Sequence, residues 1–161
     1  TSFAYVRELP RQFLIINSTM MKTGFGESSG LYEEAQANAL IGILTPVLEQ
    51  SMVLASQYAK ACGRDTVLGK DMEYAIKYCA MHTVGRNTGS LFPEIYDEDS
   101  SDEDDILEDV DESECPPFEP YTGEDPIFQK MNESYENWDS WVPQSPVEEM
   151  LKNAINSNGH I

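Results

Sequence analysis

Residues able to do chemistry are present along this 161-residue chain, and their spacing limits what they can do. The densest set is DEDSSDEDDILE, residues 97–108, where Asp97, Asp99, Ser101 and Glu108 fall at the spacing of a calcium-binding loop. Such a loop needs a glycine at its sixth position for the sharp turn, and Asp102 stands there. No helical pattern leads into the run, so diffuse condensation of cations is expected in place of a specific site. Ser100 and Ser101 each have an acid three residues on, the pattern that acidophilic kinases prefer. Cys62, Cys79 and Cys115 are odd in number and far apart, which suits free thiols in a reducing compartment better than a disulfide framework. His82 and His160 are isolated, and the cysteines have no zinc-type neighbour pair. There is no phosphate-cradling glycine loop, nucleophile elbow or acid/base pair. The expectation is a protein without catalytic site, cofactor or metal.

Charge divides the chain in two. Of its 29 acidic side chains, eight lie in residues 1–92, where they are matched by eight of the ten basic ones. Residues 93–161 keep only Lys130 and Lys152 against the remaining acids and carry the whole net charge of −19. The break falls near Gly89 to Pro93, giving two expected units, 1–92 and 93–161. No uninterrupted apolar run reaches the roughly 18 residues that span a bilayer. The first residues, TSFAYVRELP, lack signal-peptide architecture. These features predict an intracellular reducing compartment, or a virion, and no membrane.

The first unit reads as three helices. LPRQFLIINSTMMK, residues 9–22, has Phe13, Ile16, Met20 and Met21 at helical steps. A Gly- and Ser-rich loop, 23–30, leads to a long helical pattern over 31–62. Leu40, Leu44, Val47, Leu48, Met52, Ala55 and Ala59 mark one apolar face of it. Glu33 and Glu34 in the first turn and Lys60 in the last suit the helix dipole. Pro46 removes one helical hydrogen bond and is expected to kink or split this helix. Gly63 stops it, RDTVL is a short extended piece, and residues 69–83 are helical again, with Met72, Ala75, Ile76, Cys79 and Ala80 on one stripe.

The order and lengths of these elements resemble the histone fold, and GRDTVLGKDMEYA, residues 63–75, is similar to the second loop and third helix of archaeal and core histones. In that family a Gly-Arg pair ends the central helix, a Thr follows two residues after the Arg, and an Asp seven residues after it opens the third helix. Arg64, Thr66 and Asp71 occupy those positions. The resemblance implies that Arg64 and Asp71 clamp the loop to the helix. It also implies that the apolar face from Leu40 to Ala59 is covered by a second histone-fold chain, a copy of this one or another, in a handshake dimer. The chain departs from the family in charge: the first unit is neutral, and loop 23–30 has no basic residue. Ala61 stands where the family places a tetramer-forming His. Weak or absent DNA binding is expected, because DNA affinity rests on dense Lys and Arg.

The acidic half adds a second expectation. Residues 96–120 cannot fold alone, since self-repulsion and scarce apolar residues favour an extended state. Aromatics punctuate the ribbon, and Phe118, Phe128, Trp138 and Trp141 are suited to anchor it in pockets of a basic protein surface outside its own core. SPVEEMLKNAI, residues 145–155, reads as a terminal amphipathic helix with Ser145 as cap, Pro146 in first position and Glu148 in a capping-box place. The expected architecture is therefore mostly α: a single histone fold followed by a long extended acidic arm with a short terminal helix. The expected role is a non-enzymatic protein–protein assembly subunit. The alternatives are a structural capsid or virion protein of a large DNA virus, and a histone-fold subunit of chromatin or transcription complexes whose acidic tail shields histones or mimics DNA.

Overall fold

The computed structural model describes residues 30–96 and 111–158. The expected helix over 9–22, the calcium-spaced run, Ser100, Ser101 and His160 lie outside the described residues. The described residues are mostly helical and contain no strand.

Helix α1 runs from Gly30 to Ala61, 32 residues or about 48 Å. It ends in a Schellman motif: Gly63 takes φ +80°, its N–H donates to the Lys60 carbonyl, and the Arg64 N–H donates to the Ala59 carbonyl, each at 3.0 Å. Of the two outcomes expected at Pro46, a kink or a split, the split does not occur: α1 continues through it. The carbonyl it leaves without a helical donor is that of Gly42, four residues back, and the N–H of Gly89 donates to it at 2.7 Å. Gly89 takes φ +78°, a conformation that favours glycine. One turn beyond Pro46, the buried Glu49 carboxylate accepts from Ser90 Oγ at 2.6 Å and from the Leu91 N–H at 2.7 Å. The loop behind the next helix is thus strapped to the middle of α1.

That next helix, α2, spans Gly69–His82. Two further helices follow: α3, Pro126–Glu136, and α4, Pro146–Asn158. Asp125 caps α3 by accepting from the Ile127 N–H at 2.9 Å, with Pro126 in the first turn. Ser145 Oγ accepts from the Glu148 N–H at 3.2 Å to start α4, while the Glu148 carboxylate reaches the Gln144 N–H.

Helix α2 is the middle of the packing, touching α1, α3 and α4. Leu44, Val47, Leu54, Ala55 and Tyr58 of α1 share one buried cluster with Met72, Tyr74, Ala75, Cys79 and Ala80 of α2. The same cluster takes in Met131, Trp138, Leu151, Ala154 and Ile155 from the acidic half. The charge boundary near residue 92 is therefore not a packing boundary. The expected extended arm differs too: within it, residues 126–136 are helical, and the stretch 118–158 lies against the first half of its own chain.

By length and composition α1 is apolar enough to cross a bilayer, with a window of mean hydropathy 1.5, although Glu33, Glu34 and Glu49 interrupt its apolar runs. Its apolar side is used in packing, where Leu44, Val47, Ala55, Tyr58 and Ala59 are buried.

Candidate functional site

The loop between α1 and α2 is organised by one buried carboxylate. Arg64 Nη1 and Nη2 donate to the two oxygens of Asp71 at 2.5 and 2.6 Å, a bidentate pair with Asp71 fully buried. Asp71 Oδ2 also accepts from the Leu68 N–H at 2.7 Å, so the same side chain caps α2. Thr66 is half-buried in the loop between the two partners. Hydrogen bonding to Asp71 holds the Arg64 guanidinium above its usual range.

Above this clamp sits an aromatic junction between the two halves. Tyr58, fully buried on α1, has Tyr74, Phe118, Tyr121 and Phe128 around it at ring-centroid distances of 5.6, 6.3, 6.2 and 5.8 Å. Its hydroxyl donates to Asn132 Oδ1 at 2.5 Å and accepts from the Tyr121 N–H at 2.8 Å, while Asn132 Nδ2 donates to the Tyr121 carbonyl. Both partners of that hydroxyl come from the acidic half, so the ring of hydrogen bonds closes only when the halves are together. Burial pushes the Tyr58 hydroxyl up to about 12.

The basic side chains of loop and α2 meet rings, not arm carboxylates. Arg64 lies over Phe118 at 5.4 Å. Lys70 Nζ donates to Tyr135 Oη at 2.7 Å, and Lys77 lies over Tyr135 at 4.5 Å and Trp138 at 5.5 Å. Tyr135 in turn stacks on Tyr74, 4.1 Å away and 7° from parallel. The hydrogen bond to Tyr135 raises Lys70 to about 12, against the opposing effect of burial. Burial alone would raise Glu73, but hydrogen bonds from Lys77 and Lys70 outweigh it and hold its carboxyl below the usual range. Among the described residues the ion pairs are Arg64–Asp71, Lys70–Glu73 and Lys77–Glu73, all within the first half. Trp138, 2% exposed, donates from Nε1 to Asn156 Oδ1 at 2.8 Å and stands 5.2 Å from Trp141.

All four expected arm anchors therefore lie on this chain's own core: Phe118, Phe128 and Trp141 pack against the buried cluster, and Trp138 is part of it. This corrects the expectation that they reach outside the core; rings bury against rings and lysines at little electrostatic cost, while the acids stay in water. Of the apolar face expected to pair, Leu44, Val47, Ala55 and Ala59 are buried within the chain, and Leu40, Leu48 and Met52 are half-covered.

Tyr58, Tyr74, Tyr121 and Asn132 are missing from the sequence expectation. Their signal is there: Val47, Ser51, Leu54 and Tyr58 form a second stripe beside the chosen one, and Phe128, Met131, Tyr135 and Trp138 recur at helical steps behind the Asp-Pro cap. Among the described residues no cluster of three His, Cys, Asp or Glu could hold a metal, and Cys62, Cys79 and Cys115 are free thiols. Burial pushes the Cys79 thiol up to about 11, away from reactivity.

No family model, curated protein or solved structure matches the chain.

Proposed function

We propose that the chain is a non-enzymatic assembly subunit that pairs along α1 with a second helical chain, either a copy of itself or another protein. One observation carries this reading: α1 outruns its own cover. Ile41 is 38% exposed, and Leu48 and Met52, on the same side of the helix, are only half-covered by the other described residues. A partner helix laid along this flank buries them, as a handshake between histone folds does. The Arg64–Asp71 clamp fits the same reading, since both carboxylate oxygens and two guanidinium nitrogens are engaged in fixing the loop to the start of α2.

The acidic half, on this proposal, contributes a charged outer surface. Glu119, Glu124, Glu133, Glu136 and Asp139 are exposed and form no ion pair among the described residues. A basic protein surface is the partner such a face suits, in a virion or on histones, and duplex DNA is the partner it repels.

Light scattering on the full chain tests the pairing. The expected mass is that of a dimer, and Ile41→Asp, at an exposed position, should give a folded monomer. A folded wild-type chain that stays monomeric at micromolar concentration and takes no helical partner would refute it.

A further inference from the structure

A groove of about 260 Å³ opens where the middle of α1, the end of α2, the strapped loop and the start of α3 meet. Pro46, Leu54, Tyr78, Leu91 and Ile127 give it an apolar lining, and Arg86 stands in its wall. Gly89 and Glu49 hold that wall in place through the two attachments of the loop to α1. Ile127 remains 46% exposed at the edge.

Basic side chains outnumber acidic ones at the border of the groove. Lys130 follows Ile127 by one turn of α3, on the same side. His82 follows Tyr78 by one turn of α2, the two rings 4.9 Å apart. Burial, then the charges of Lys130 and Arg86, lower the His82 imidazole, and the Glu133 carboxylate opposes them more weakly, so the cations outweigh the one acid around this ring. Arg86 and Lys130 form no ion pair among the described residues, although the chain has 29 acids. The volume lies below the roughly 300–1,000 Å³ usual for small-molecule sites, and suits one or two side chains of a peptide.

We propose that this groove receives an acidic segment of a partner protein, with a bulky aliphatic side chain against Leu54, Leu91 and Ile127 and carboxylates beside Arg86 and Lys130. The overall charge of −19 does not forbid this, because exposed charges beyond about 8 Å are largely screened at physiological salt, leaving the local cations to decide. The groove lies on the opposite flank of α1 from Ile41, Leu48 and Met52, so the site is independent of pairing.

Fluorescence anisotropy with the full chain tests it. The probe is a short labelled peptide of two leucines flanked on both sides by aspartates. Saturable binding is expected, weakened about tenfold by Arg86→Glu and by Ile127→Asp, and lost when the leucines of the probe become serines. Both substituted positions are exposed, so circular dichroism should remain that of the wild type. No saturable binding, or equal binding by both variants, overturns the proposal. Tighter binding by a chain carrying Ile106→Asn and Leu107→Asn would also overturn it, by assigning the groove to the chain's own acidic segment.

Discussion

The two halves of the molecule are fastened by different forces. In the first half, ion pairs act at close range: Arg64 grips Asp71, and Glu73 lies between Lys70 and Lys77. The second half, which holds all the excess charge, attaches without an ion pair among the described residues. Its rings cover Tyr58 and Tyr74 and accept the same basic side chains on their faces. A strongly acidic segment can therefore dock on a neutral core of its own chain, provided its apolar residues share one side and its acids the other. Net charge describes a segment's solubility and reach, while the spacing of its aromatics describes where it goes.

The sharpest way to break this comparison is to damage one half and watch the other. Asp71→Ala leaves the buried Arg64 unpaired and should cost about 3–5 kcal/mol. Trp138→Ala empties a buried site in the other half and should cost about 3–5 kcal/mol. Because both residues serve one core, each variant should unfold in urea as a single transition, followed together by far-ultraviolet circular dichroism and by the fluorescence of Trp141, which both variants keep. Separate transitions for the helices of the two halves would show that they fold independently.

A smaller effect is expected from Tyr58→Phe. It removes only a hydroxyl, but strands the Tyr121 N–H and takes the donor from Asn132, so a loss of about 1–3 kcal/mol should appear in the same measurement. A second substitution, Asn132→Ala, should then add little, because the two side chains belong to one hydrogen-bonded ring.

Glu73→Gln should cost less, within the roughly 0–1 kcal/mol of a partly exposed pair. Its pH dependence has a fixed sign. The folded-state pKa lies below the usual carboxylate value, so the contribution is present above the unfolded value and fades as pH falls through the folded one. The wild-type advantage over the glutamine variant should therefore be full at neutral pH and shrink below about pH 4. An advantage that grew on acidification would contradict the role given to Lys70 and Lys77. The smallest effect is expected from salt: molar sodium chloride should leave the arm docked, since exposed charges do not hold it.

Much of the first half was legible in the sequence. Gly63 marks the end of α1, and α2 begins at Gly69 and ends within a residue of the expected position. The start of α4 was readable from Ser145, Pro146 and Glu148. Helix α3 is masked in the sequence by the acids in and around it, of which Asp125 is a cap and Glu133 and Glu136 are exposed. Which of the two outcomes at Pro46 holds, a kinked helix or a split one, is not legible locally. A proline costs its helix a hydrogen bond locally, but the donor that replaces it, the Gly89 N–H, comes from 47 positions further along the chain than Gly42. The junction around Tyr58 is likewise a long-range product: its partners Tyr121 and Asn132 lie more than 60 residues away, beyond the reach of any local pattern.

Hydrogen exchange over Pro126–Glu136 in the purified full chain, with no other protein present, tests the shared core most directly. Docking on Tyr58 and Tyr74 predicts amides of α3 that exchange as slowly as those of α2 and are released by Trp138→Ala. Exchange at the rate of an unfolded peptide, with α1 and α2 still protected, would contradict it and show that the acidic half needs a partner to hold it.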